Sequence, residues 1–196
     1  DALELRLRWI QVSTDLVFDG TAAPYRPEDP PRPLSTYGRT KALAERLALA
    51  SAGNALVVRI PLLFGASPTG ARSASERILL AARRGEEVVL FRDEWRTPLD
   101  AGEAAVALLD LLDSDRTGTL HVAGGERLSR LEFGREVLRA AGLLPRARIR
   151  EASRLDHPGP PRPEDLTLEG REAAALLRTP FPSVREGLER VHRSGV

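Results

Sequence analysis

Ala55-Leu56-Val57-Val58-Arg59-Ile60 is the stretch that decides the fold class. Its apolar residues run on almost without alternation, as in a parallel strand covered on both faces. Upstream, Trp9-Ile10-Gln11-Val12-Ser13 reads as a second short strand, ending in the polar cluster Ser13-Thr14-Asp15. Between the two strands the sequence predicts a helix that Ser35 caps, that runs to about Ala52 and that Gly53 stops. Leu43, Leu47 and Ala50 lie along one of its faces. Strand, helix and parallel strand form a right-handed crossover unit.

The alternation continues outward from this unit. A helix is expected over Ser73 to Arg84, a strand over Glu87 to Phe91, and a helix through Leu112 opened by Asp100 and Glu103 as a capping box. Thr119 to Ala123 reads as a strand, and Ser129 with Glu132 opens a helix to Ala141. Arg148 to Arg150 is a short strand, and two amphipathic helices at about 168–178 and 182–192 close the chain. Residues 21–34 carry five prolines and residues 157–163 carry four, so both are loops. The pattern predicts an α/β fold with a mostly parallel sheet.

Composition narrows the function. The 196 residues are 42% hydrophobic and 29% charged, a globular balance. A net charge of +1 leaves no excess field for nucleic acid or an anionic membrane. There is no Cys, hence no disulfide and no thiolate chemistry. His121, His157 and His192 are too scattered for a metal motif. No apolar run is long enough for a membrane span and no secretory signal opens the chain, so a cytoplasmic location is expected. There is also no Met, and Asp1 to Arg6 reads as the tail of a helix, so the chain is expected to be a fragment lacking its N-terminal part.

Of 29 basic residues only Lys41 is lysine. Arginine cannot copy a compact, titratable ammonium, which singles Lys41 out. Tyr37 stands four residues before it, on the same face of the expected helix. A phenol becomes a usable acid near neutral pH when a neighbouring ammonium favours the phenolate. Such a pair suits proton delivery to a carbonyl oxygen that is being reduced. Ser13 and Thr14, at a strand's carboxyl end, are placed to hold that oxygen by a hydroxyl. The ordinary alternative is an exposed helix pair worth a few tenths of a kcal/mol.

Ser13-Thr14-Asp15-Leu16-Val17-Phe18-Asp19-Gly20, a proline-rich loop and Tyr37-Gly38-Arg39-Thr40-Lys41 together resemble the extended short-chain dehydrogenases/reductases, nearest the dTDP-4-dehydrorhamnose reductase group. Arg59-Ile-Pro-Leu-Leu-Phe-Gly65, Gly118-Thr-Leu-His-Val-Ala-Gly124 with Ser129 to Gly142, and Arg162-Pro163 with Leu166-Thr-Leu168 extend the resemblance over the whole chain. It implies a Rossmann-like sheet with a small C-terminal α+β substrate subdomain. Residues 1–65 would be the catalytic half of the dinucleotide-binding domain and 66–196 mainly the sugar-nucleotide subdomain, with segments at about 87–123 open to returning to the sheet.

The same resemblance implies NADP or NAD, a nucleotide-linked 4-keto sugar, and hydride transfer to the keto carbon. Thr14 would bond the keto oxygen, Tyr37 would donate the proton, and Lys41 would lower the phenol's pKa and hold the nicotinamide ribose. Ser13 and Pro61 would adjoin the cofactor. Asp15 would reach substrate or cap the following turn. Position 16 is Leu where the reductase group usually has Tyr, which removes a polar substrate contact. Arg96 and Arg162 are candidates for the substrate pyrophosphate, against the ordinary reading of solvated surface charges. Trp9 and Trp95 read as packing residues and His121 as a core histidine.

No glycine-rich phosphate-binding turn occurs in the sequence. The fragment alone is therefore expected to be inactive. The alternatives are an epimerase or dehydratase using the same Tyr and Lys, and a non-catalytic subunit resembling the regulatory β subunit of methionine adenosyltransferase. A homodimer remains open.

Overall fold

The computed structural model describes residues 9–51, 53–177 and 181–193. The helix tail expected at Asp1 to Arg6 and the helix end at Ala52 lie outside them. The strands are β1 (Trp9–Thr14), β2 (Ala55–Ile60), β3 (Leu63–Phe64), β4 (Glu87–Phe91), β5 (Trp95–Arg96), β6 (Leu99–Asp100), β7 (Gly118–His121), β8 (Leu128–Ser129) and β9 (Arg148–Ala152). The helices are α1 (Thr36–Ser51), α2 (Ala74–Arg83), α3 (Ala101–Leu112), α4 (Arg130–Ala140), α5 (Arg171–Leu176) and α6 (Val184–Arg193).

The principal sheet has the order β1-β2-β7, all parallel. Its centre is β2, whose apolar side chains are sealed on both faces: Leu56, Val57 and Val58 have no exposed surface. Leu56 and Val58 pack with Leu99, Ala104, Ala107 and Leu111, which puts α3 on that face. α1 covers the other face. This is a mixed α/β, Rossmann-like fold, as the unbroken apolar run of β2 predicts. Of the segment 87–123, β7 joins this sheet, whereas β4 pairs in parallel with β9. The β4–β9 pair shares a second core with α2, α4 and α6, built on Phe64, Ile78, Leu90, Phe133, Val137 and Leu188.

Local signals act as expected at several helix starts. Ser129 and Glu132 form a reciprocal capping box. So do Ser73 and Glu76. Asp100 caps α3 by accepting from the Gly102 and Glu103 amides, but Glu103 turns its carboxylate outward to Arg190. The expected box is thus half made.

The helix expected from 168 starts only at Arg171. Residues 165–168 are instead drawn out as two isolated parallel bridges, Trp95 to Asp165 and Tyr25 to Leu168. Burial of Leu166 and Leu168 against Phe18 and Tyr25 outweighs local helix preference there. Trp9, the first residue of the edge strand β1, is 44% exposed. Trp95 is half-buried, with the Arg127 guanidinium 3.8 Å from its ring centroid.

Candidate functional site

The carboxyl end of β1 enters the site. Ser13, Thr14 and Asp15 are all buried. Past Thr14 the chain makes one 3-10 turn, Asp15 to Val17, capped by Thr14 Oγ1, which accepts from the Leu16 amide at 3.3 Å. The same hydroxyl donates to Asp15 Oδ1 at 3.1 Å. A hydroxyl carries one proton, so Thr14 must turn it away from Asp15 to hold a substrate oxygen.

α1 starts against this turn. Ser35 Oγ accepts from the Gly38 amide at 3.0 Å, as its expected capping role requires. A Cβ on Gly38 would lie 2.2 Å from the Leu16 carbonyl oxygen. Only glycine allows so close a helix approach, and the approach sets Tyr37 beside the end of β1. Tyr37 is 52% exposed. Lys41 Nζ lies 6.0 Å from the Tyr37 ring centroid and donates to the Val12 carbonyl at 3.1 Å. The lysine is therefore bound to the sheet, not simply paired on a wet helix face.

These groups open into one cleft of about 720 Å³, a size that suits a small-molecule site. Every residue singled out for the site lines it: Ser13, Thr14, Asp15, Tyr37, Lys41, Pro61, Arg96 and Arg162. Arg96 is not a solvated surface charge. Its side chain is 6% exposed and meets Asp15 Oδ2 at 3.4 Å and Glu94 Oε1 at 3.0 Å. Its remaining nitrogen donates to the Trp95 carbonyl at 2.7 Å. Arg162 is about one-third exposed and grips Glu94 with two bonds, at 2.5 and 3.1 Å. Both guanidiniums named for a pyrophosphate are thus engaged by carboxylates.

The electrostatics follow from this burial. Desolvation pushes the Asp15 carboxyl above the usual carboxylate range, against the pull of Arg96 and the Thr14 hydroxyl. Burial would also raise Glu94, but the Arg162 hydrogen bond and the Arg96 charge outweigh it and hold Glu94 below that range. Arg130 also lines the cleft. Burial brings its pKa down to about 10 against the pull of Glu94, and the charges of Arg96, Arg162 and Arg77 add to the lowering. Its Nη1 has no hydrogen-bond partner among the described residues. Five arginines line the cleft against two carboxylates, Asp15 and Glu94.

Glu94 and Arg130 went unforeseen: one arginine among 28 carries no local mark. Glu45 and Arg59 were also missed, although both leave a trace. Glu45 stands four residues past Lys41, and Arg59 is the one charge in an otherwise apolar strand. They form an ion pair at 2.9 Å with both side chains 4% exposed.

Comparison with known proteins places the chain in a family and a fold. The chain is 33% identical over 184 residues to a dTDP-4-dehydrorhamnose reductase of Mycolicibacterium smegmatis, covering 92% of this chain and 55% of that protein. It is 32% identical over 182 residues to the methionine adenosyltransferase 2 subunit beta of Bos taurus, covering 88% of this chain and 54% of that protein. The chain thus spans about half the length of these relatives. The crystal structure of a dTDP-4-dehydrorhamnose reductase from Bacillus anthracis in complex with NADP superposes with a TM-score of 0.85 at 22% identity, covering 95% of this chain and 66% of that one. The RmlD substrate binding domain family matches residues 2–195, and the chain belongs to that family.

Proposed function

We propose that this chain is the catalytic and substrate-holding part of an NAD(P)H-dependent reductase of a nucleotide-linked 4-keto sugar. The observation that carries the reading is the convergence of Thr14, Tyr37 and Lys41 on one arginine-lined cleft. Thr14 holds the keto oxygen, and Tyr37 delivers the proton to it. The Lys41 ammonium stands on the same cleft wall, 6.0 Å from the Tyr37 ring centroid. An ammonium and a half-exposed phenol at the cleft wall fit the nicotinamide-ribose end of a dinucleotide, with Pro61 beside it. When bound, the nicotinamide supplies hydride.

The diphosphate of the substrate falls to Arg130, with Arg77 nearby, rather than to Arg96 and Arg162, whose guanidiniums face Glu94. Arg130 has a nitrogen with no hydrogen-bond partner among the described residues and an excess of cations around it, conditions that a diphosphate relieves. Arg96 and Arg162 then act indirectly, by joining Asp15 to the proline-rich segment 157–163 through Glu94. Turnover of a dTDP-linked 4-keto sugar with NADPH, in a form of the protein spanning the length of its relatives, tests the reading. No turnover, together with binding to a methionine adenosyltransferase catalytic subunit, would favour the second reading, a non-catalytic subunit, which the 32% identity to the β subunit supports.

A further inference from the structure

Glu45 is the third member of a stripe on α1 whose first two are Tyr37 and Lys41, each four residues apart. It is 3% exposed. Its carboxylate accepts a very short hydrogen bond from Ser13 Oγ, and accepts from Arg59 Nε at 3.0 Å and Nη2 at 2.9 Å. Ser13, Arg59 and His121 are in register across β1, β2 and β7. Arg59 extends the chain of contacts: its Nη1 donates to the Pro27 carbonyl at 3.1 Å and lies 3.3 Å from His121 Nε2. Its guanidinium sits 4.9 Å from the Phe18 ring centroid. One carboxylate thus joins α1, the end of β1 and the proline-rich loop that leads into Tyr37.

A buried ion pair is a poor way to gain stability, since apolar residues of similar volume often do as well or better. What it adds is direction: two parallel bonds from a planar fork allow one placing of the helix on the strand. That placing bears on the reacting groups, because Lys41 bonds the carbonyl just before Ser13 and Thr14 follows just after it. We infer that Glu45, acting through Ser13 and Arg59, is a positioning residue that sets Lys41 and Tyr37 against Thr14. The inference rests on the catalytic reading of those three residues.

The single lysine supplies the probe. The 196-residue chain labelled with [¹³Cε]lysine gives one side-chain lysine resonance, that of Lys41. In the wild type it lies away from the free-lysine position, because the ammonium is bound to the Val12 carbonyl near an aromatic ring. The double variant Glu45→Leu/Arg59→Leu removes the pair without leaving a lone buried charge. The expected result is cooperative unfolding within a few degrees of wild type, with the Lys41 resonance moved at least halfway to the free-lysine position. In the relatives-length protein the same variant loses about tenfold in kcat, with KM for the nucleotide sugar, whose diphosphate falls to Arg130, unchanged, since proton transfer depends on geometry. A folded double variant with Lys41 at its wild-type position overturns the inference. If that variant does not fold, Ser13→Ala, which deletes one hydroxyl, is read in the same way and with the same overturning result. A Tyr37→Phe protein that keeps full turnover would remove the catalytic reading while leaving the response of Lys41 to Glu45 in place, so the two failures are distinguishable.

Discussion

Lys41 Nζ donates to the carbonyl oxygen of Val12 at 3.1 Å, which ties the only lysine of the chain to the strand that carries Thr14 two residues later. A compact ammonium can make that bond and still turn its other protons to a ribose hydroxyl.

Replacing Lys41 by Arg keeps the charge but not the shape. The longer planar guanidinium cannot sit at the Val12 carbonyl and also serve the phenol and a ribose. We expect Lys41→Arg to lose at least about tenfold in kcat, the low edge of what a proton-transfer group contributes. Steady-state kinetics in the relatives-length protein check this, and normal activity would end the case built on the lone lysine.

Tyr37→Phe deletes only the proton donor. Because the side chain is half in solvent, melting temperature and cofactor affinity should hardly move. Turnover should fall by roughly 10²–10⁴-fold, the usual worth of general acid catalysis. Retention of more than about a tenth of kcat sinks the assignment.

Arg130→Met keeps the buried stem and removes the charge. Hydrogen bonds to charged groups contribute about 1.5–3 kcal/mol, which corresponds to roughly 10- to 150-fold. KM for the nucleotide sugar should rise by a factor in that range while KM for NADPH stays. An unchanged KM for the sugar would show that the diphosphate lies elsewhere in the cleft.

His121 is fully buried. Desolvation, followed by the Arg59 charge, brings its pKa down from 6.5 to about 3. The unfolded chain therefore takes up a proton below pH 6.5 that the fold refuses. Stability is full above pH 6.5 and is lost on acidification toward pH 3, by up to about 1.4 kcal/mol per pH unit. Urea unfolding should show a loss of roughly 2 kcal/mol between pH 7.5 and 5. That window lies above the range where ordinary carboxylates protonate. His121→Gln should flatten this part of the curve; an equal pH slope in that variant would assign the effect to other groups.

The 196 residues contain no glycine-rich phosphate-binding turn. The chain as given should therefore bind NADPH far more weakly than a relatives-length form, and should show no reductase turnover. Calorimetric titration decides the binding. Micromolar affinity would place the cofactor clamp within these residues and overturn the division of labour proposed above.

Local patterns were readable wherever the physics is local. The unbroken apolar run of Ala55 to Ile60 announced a parallel strand because a doubly covered strand has no wet face. Ser129 and Glu132 announced a helix start because both partners of the box lie within one turn. Tyr37 and Lys41 were legible because four residues on a helix bring side chains together. The helix expected from 168 starts three residues late because Leu166 and Leu168 bury against Phe18 and Tyr25, more than 140 residues away in sequence.

What the sequence determined by itself was the alternation of strands and helices, the helix capped by Ser35 and the stripe that carries Tyr37 and Lys41. Only the tertiary structure decided which charges are buried and which partners they keep. Arg96 reads like any other arginine until Asp15 and Glu94 close on it, and Glu45 looks like a surface helix residue until Arg59 and Ser13 meet it. The physical reason is that a charge can leave water only when its partners are in place, and those partners come from strands and loops that folding alone brings together.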